Sequence, residues 1–489
     1  MMVVINSCMG IIRPDIIMEE SMKKVSFVMT ITLALLVVFS GYCGGQGAAP
    51  SSASGVKKMT YTFWGSAYER DAQTAAVQAF NAKNPGINVE AMHIPASGDE
   101  YTAKITAMVA AGNSPDVGYM VPAVSFTWAT EGKLYNIFDF LNADKEYSKN
   151  TYVNDVFYYY AEGKSHGTTS SINPRLIFYN KECFNTAGLP YPPYTPATAW
   201  TWDQFVDVAQ KLTLDVNGRN AKDPNFNKDQ IRQYGAYISY GDSPMLMTFL
   251  DSNGVDLLTE DGSKLALDTP AAREVLQAMS DLINKYHVCP LPTEYSNVAS
   301  DVPTALKGKR AAMAITGQWI LLDLAKAGVP YDLGIMPKFK EVRNVKDAGI
   351  RVIYKQTKYP QEAWSLYKFL QNPSGALSLY KDGLWMPVLR EWYDKPELYA
   401  QWAVGNPAHP DKTYKAVVSD SLFSGIATPH WTIRINNFND IWNAVNAGLQ
   451  PLWLGTTTVD AAVKDITQKV NPIVKGFRPS TGHISKYRK

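Results

Sequence analysis

Cysteine is scarce in this chain, with four in 489 residues, too few and too scattered for a disulfide-stapled scaffold or a zinc module. Cys8 falls in an N-terminal leader and Cys43 directly after it, which leaves Cys183 and Cys289 either to pair with each other or to lie buried as single apolar thiols. Charge of one sign is also lacking. Charged residues make up 19% of the chain and the net charge is +2. The leader's Arg13, Lys23 and Lys24 balance its Asp15, Glu19 and Glu20, so the body keeps that near-neutrality and offers no nucleic acid a clustered basic face. No apolar run of the body approaches the ~20 residues a membrane-spanning helix needs. Catalytic signatures are missing too: there is no His-Glu-x-x-His, no Gly-x-Ser-x-Gly and no Walker loop. His93, His166, His287, His409, His430 and His483 stand without ligand spacing, so neither a metal nor a cofactor is implied.

What is present begins with an address. Met22-Lys23-Lys24, the short apolar run Val25–Phe39 and the small residues around Cys43 have the make-up of a bacterial export signal. The segment resembles a lipoprotein signal, which implies a lipid-bearing Cys43 and a chain tethered to the cell envelope, in the periplasm or at the cell surface. Tyr42 stands where such a signal has Gly or Ala, so cleavage after Ala48 or Ala49 and release as a soluble protein is the alternative. Met22 reads as the better start than Met1, residues 1–42 as leader, and 43–57 as a small, polar, flexible tether.

The body is long enough for two domains of ordinary size. It carries 12 Trp and 28 Tyr, more rings than a core alone calls for, which leaves some for a ligand surface. Met59–Trp64 alternates as a strand, Ala72, Ala75, Ala76, Ala79 and Phe80 recur at helical spacing, and Asn84-Pro85-Gly86 stops that helix. Ile87, Val89 and Ala91 alternate again, a helix carries Ile105, Met108 and Val109, and a short strand spans 116–120. This order predicts an α/β fold with parallel pairing and crossover helices. The middle repeats the grammar: a strand over Leu176–Asn180, a capping box Thr201-x-x-Gln204, and a helix opened by Thr269-Pro270. Further helices are expected after Pro360 and at Val459–Val470.

Seven landmarks occur in one order: Phe80-x4-Pro85-x-Ile87-x-Val89; Tyr101-x2-Lys104 with Ala111-Gly112-x2-Pro115-Asp116; Phe178-Tyr179-Asn180-Lys181-x2-Phe184-x2-Ala187-Gly188-Leu189; Thr201-Trp202-x2-Phe205; Leu306-x-Gly308-Lys309-x-Ala311-Ala312-Met313-x3-Gly317-x-Trp319; Ala363-Trp364 with Phe369-Leu370; and Gly383-x3-Pro387. With them the chain resembles the family 1 extracellular solute-binding proteins, which serve ABC importers of sugars and include maltose-binding protein. The resemblance implies a two-lobed periplasmic-binding-protein-like α/β fold of class II, with two or three hinge crossings and the ligand between the lobes. The crossings are expected near Gly167–Ser171, Ala348–Val352 and Pro387. That gives one lobe of 58–168 plus 350–387 and a second of 169–349 plus 388–489.

A sugar presents C–H faces and a rim of hydroxyls, so its site needs aromatic planes beside donors and acceptors. The resemblance places Trp64, Ser66, Tyr119, Asn173, Asp242 and Trp319 at the cleft, with Trp385, Trp431, Arg434 and Trp442 from the last third. Each also has a plain structural reading: core for Trp64 and Trp442, a strand-end cap for Tyr119, a turn for Asp242, a surface ion pair for Arg434. Glu69 or Arg70, or neither, fills the family's charged contact near the first strand, and Arg175 is the one cation that would join Arg434 on a phosphate. The expectation is a monomeric, non-catalytic binding subunit. It would take a di- or oligosaccharide, a neutral sugar before a phosphate, and work with the transmembrane subunits of a permease. A secreted carbohydrate-active enzyme, which would need two carboxylates flanking the bond, is the competing reading.

Overall fold

The computed structural model describes residues 55–95, 98–346 and 348–478. The leader, Cys43 and the first part of the tether lie outside them. In chain order the strands are β1 (Lys57–Phe63), β2 (Ile87–His93), β3 (Val117–Met120), β4 (Phe157–Ala161), β5 (Lys164–Thr169), β6 (Arg175–Asn180), β7 (Leu214–Asp215), β8 (Ile231–Ile238), β9 (Ala311–Gly317), β10 (Tyr331–Gly334), β11 (Asn344–Lys346), β12 (Ile350–Ile353) and β13 (Ala427–Pro429). They build a six-stranded sheet of order β2-β1-β3-β12-β5-β4, a five-stranded sheet of order β10-β6-β9-β8-β7, and a two-stranded ribbon β11-β13.

The first sheet opens as the pattern predicts. β1 is parallel to both β2 and β3, joined by the helices Ala67–Lys83 and Asp99–Ala110. Ser66 starts the first of these helices, its Oγ accepting the Glu69 N–H and so satisfying one of the donors a helix leaves open. Thr201 and Gln204 form the expected reciprocal box, Gln204 N to Thr201 Oγ1 at 3.2 Å and Thr201 N to Gln204 Oε1 at 2.9 Å. The helix Trp202–Leu212 that follows buries Trp202, Phe205, Val206, Val208, Ala209 and Leu212 on one face. Thr269 likewise caps Pro270–Asn284.

The second sheet departs from the parallel grammar. Among its pairings β8 and β9 are parallel, while β6 lies antiparallel to β9 and to β10, and β7 to β8. β6 enters directly from the first sheet and runs away from that junction, so the strand that returns beside it points the other way. Cys183 and Cys289 are both buried and unpaired, of the two sequence readings the one with single apolar thiols.

The chain passes from β5 to β6 through residues 170–174 and back between β11 and β12. These two passages lie side by side. Ser170 donates from both N and Oγ to Gly349 O, at 2.8 and 2.9 Å, and Ile350 pairs with Thr169. Gly167 allows the close approach, since a Cβ there would stand 2.2 Å from Arg351 O. The third passage comes later than Pro387. Val153 N donates to Val388 O and Arg390 N to Thr151 O, so the chain stays beside the first sheet and reaches β11 only with β13 at Ala427.

Gly235 on β8 tests how tightly these layers fit: a Cβ there would meet Ala209 O of the covering helix at 1.9 Å. Since this contact is backbone and cannot swing aside, Gly235→Ala is expected to destabilise the protein by about 2–3 kcal/mol. Urea denaturation checks it; a midpoint unchanged from the parent would show that helix and strand are less closely packed than described.

Candidate functional site

Trp64 follows the end of β1, and its half-buried ring meets Tyr101 and Tyr119 edge-on, with centroids 4.9 and 4.8 Å away. Its far edge lies against the second passage, where a Cβ on Gly349 would be 2.6 Å from the indole. Gly65 then turns the chain with φ +132°, and the Glu69 carboxyl folds back over it. From the buried Tyr119 the hydroxyl donates to Glu69 Oε1 (3.3 Å) and accepts from Gln73 Nε2 (2.5 Å), while Tyr61 OH donates to Gln73 Oε1 (3.1 Å). Trp385 closes this group from another segment, 6.1 Å from Tyr119.

The second group hangs on β6 and β9. Arg175, 1% exposed, grips Asp242 in a bidentate pair, Nε to Oδ2 at 3.0 Å and Nη2 to Oδ1 at 3.3 Å. Its guanidinium lies 4.7 Å from the centre of the half-buried Trp319 ring. The ring folds over Gly317, where a Cβ would be 1.8 Å away, so only glycine leaves room for it. The two groups touch through Ser66, which keeps its capping role and also donates to Asp323 Oδ1 at 2.8 Å. Asp323 sits on the helix Leu321–Ala327, one turn beyond Trp319. Trp64 and Trp319 pack against one buried cluster that draws side chains from both sheets.

Of the ten residues singled out in the sequence, the structure thus gathers Trp64, Ser66, Tyr119 and Trp385 on one side and Asp242 and Trp319 on the other. Asn173 lies in the passage between them, buried and accepting from Ser171 Oγ at 3.3 Å. The remaining three lie on other elements, and Ser243 beside Asp242 reaches them through His430, Oγ to Nε2 at 3.0 Å. Trp431 is wholly buried and donates from Nε1 to Asp256 Oδ1 (2.8 Å), and Arg434 clamps the same carboxylate at 2.7 and 3.1 Å. Trp442 stacks on Phe438 of the same helix, 6.3 Å between centroids. Arg434 therefore serves a buried pair rather than a surface one.

Pattern reasoning missed three groups. Gln73 sits on a helix face that reads as core, and Asp323 carries no motif. Arg351 had a signal, a charged residue inside the apolar run Ile350, Val352, Ile353. It is fully buried on β12, with its guanidinium 4.7 Å above the Trp385 ring and 5.9 Å from that of Tyr367. Cation–π contacts of this kind supply about 2 kcal/mol when desolvated, whereas burying a charge costs several.

Among the described residues no helix is long and apolar enough to cross a membrane. Two α/β lobes with aromatic planes and hydrogen-bonding side chains collected between them define a solute-binding protein. The chain belongs to the bacterial extracellular solute-binding protein family, whose model matches residues 75–406. It is similar to an ABC substrate-binding protein from Listeria monocytogenes solved in complex with cycloalternan (21% identity, 85% of this chain and 98% of that one, TM-score 0.70). It is also similar to the maltose-bound MalE3 of T. maritima (19% identity, 85% and 100% covered, TM-score 0.68). A curated relative is the sn-glycerol-3-phosphate-binding periplasmic protein UgpB of Escherichia coli K12, 22% identical over 427 residues, 83% of this chain and 89% of that protein.

Burial lifts the Glu69 carboxyl to about 8 against its hydrogen bonds from Gln73 and Tyr119, with Asp323 adding to the rise. The folded protein then keeps a proton that the unfolded chain releases near 4.5, so stability falls as pH climbs from about 4.5 to 8 and stays lowered above. Glu69→Gln is expected to raise the melting temperature at pH 9 and to change it little at pH 4.5. Equal shifts at both pH values would show that Glu69 is not held protonated.

Proposed function

We propose that this chain is the substrate-binding component of an ABC importer, capturing a di- or oligosaccharide in the interlobe cleft and delivering it to the membrane permease. One observation carries the reading. Two half-buried tryptophans, Trp64 beside the first sheet and Trp319 beside the second, flank the place where Ser66 and Asp323 join the two sides, an arrangement suited to sugar faces and hydroxyls alike. The lobes would be 58–168 plus 350–387 and 169–349 plus 388–489, the stretch 388–426 returning along the first. A ligand that touches both favours the closed form by its differential contacts, and the closed surface is what a permease reads. The similar proteins, named for or solved with cycloalternan, maltose and glycerol 3-phosphate, support a polyhydroxylated ligand. Lipid attachment at Cys43 would hold a monomeric, non-catalytic protein beside its permease. A carboxyl raised like that of Glu69 is also what a glycosidase uses as general acid, and for that reason the test includes product analysis.

Titration calorimetry of the chain from Val56 onward against a panel of mono- and oligosaccharides is expected to show saturable binding with the sugar recovered intact. Trp319→Ala should weaken it about tenfold through the lost stacking plane. A cleaved sugar would overturn the binder; undiminished affinity in Trp319→Ala would remove Trp319 from the site.

A further inference from the structure

We infer that the ligand of the cleft carries an oxyanion, a carboxylate or a phosphate, and that Arg351 receives it. The inference rests on the reading of the cleft as a sugar site and narrows the sugar to an acidic one.

Arginines are buried here in three comparable places, and two are neutralised: Arg175 by Asp242 and Arg434 by Asp256, each through two hydrogen bonds. Arg351 is the exception. It is 0% exposed, and among the described residues no carboxylate meets Nε, Nη1 or Nη2; the Tyr61 phenol is the hydrogen-bonding neighbour of the guanidinium. Its electrostatic neighbours are the phenols of Tyr61, Tyr119, Tyr380 and Tyr367. These cannot supply negative charge, because burial holds them protonated, Tyr61 and Tyr367 at about 12. Buried guanidinium groups are ordinarily paired, and a planar fork without a carboxylate suits a bidentate oxyanion.

The position fits a ligand rather than a remote packing role. Arg351 underlies Trp385, Trp385 touches Tyr119, and Tyr119 touches Trp64, so one layer of rings separates the cation from the site. The segment bearing Trp385 is fastened toward the second sheet and the hinge. Gln318 Nε2 donates to Gly383 O at 3.1 Å and Met386 N to Ser171 Oγ at 2.9 Å. For an oxyanion to reach Arg351, Trp385 must lift from the guanidinium.

The test titrates the full-length chain with glucose, glucuronate and glucose 1-phosphate, and with maltose and maltose 1-phosphate. The acidic member of a set should bind at least about tenfold more tightly than its neutral parent, the carboxylate and phosphate arms telling the two oxyanions apart. Arg351→Met should lose the preference and, without ligand, melt higher than the parent, since an uncompensated charge has gone; loss of a purely structural arginine would lower the melting temperature. Should Arg351→Met fail to fold, Arg351→Lys keeps the charge without the fork and is expected to lose several-fold of the preference. Equal affinity within each set, or a preference surviving in either variant, overturns the inference and leaves the sugar reading standing. Failure of every compound to bind overturns both.

Discussion

Two strands of chain laid side by side between the sheets govern this molecule. Ser170 reaches Gly349 with both its N–H and its hydroxyl, Thr169 pairs with Ile350, and Gly167 lets the Arg351 backbone come within touching distance. Residues of the candidate site lie along or against these passages: Trp64 abuts Gly349, Asn173 lies within the first, Arg175 begins the strand that leaves it, and Arg351 sits on the strand that returns. A change in how the sheets are inclined must bend these few residues.

The site is also where local rules are broken. Glu69 is a carboxyl kept from ionising, Arg351 a cation kept from any carboxylate, and they stand on the two sides of the Tyr61–Tyr119–Gln73 hydrogen-bond set. Elsewhere Asp242 and Asp256 neutralise the buried Arg175 and Arg434, while burial lifts a second carboxyl, that of Asp251, to about 7.

Much of the fold was legible from periodicity and caps. β1, β2 and β3 with their two helices, the box at Thr201 and the cap at Thr269 follow from short-range physics that a sequence states openly. The antiparallel run of the second sheet was not, because strand direction depends on where the chain enters from a distant element rather than on the strand's own residues. The candidate site divides likewise. Trp64, Ser66 and Trp319 follow strands and Tyr119 lies on one, whereas the hold of Asp256, nearly 180 positions away, on Trp431 and Arg434 could not be read. Pairing at that separation leaves no trace in local pattern, and the same holds for Asp323 opposite Ser66.

β12 occupies the middle of the first sheet, between β3 and β5, yet is made from residues 350–353. Until that segment arrives, β3 and β5 have exposed edges facing each other and no partner between them. For a chain threaded across a membrane from its N-terminus, the first sheet therefore cannot be finished while its own early strands are emerging; it waits for nearly the whole second sheet to follow. Closure of this kind joins residues far apart in the chain, which makes it slow.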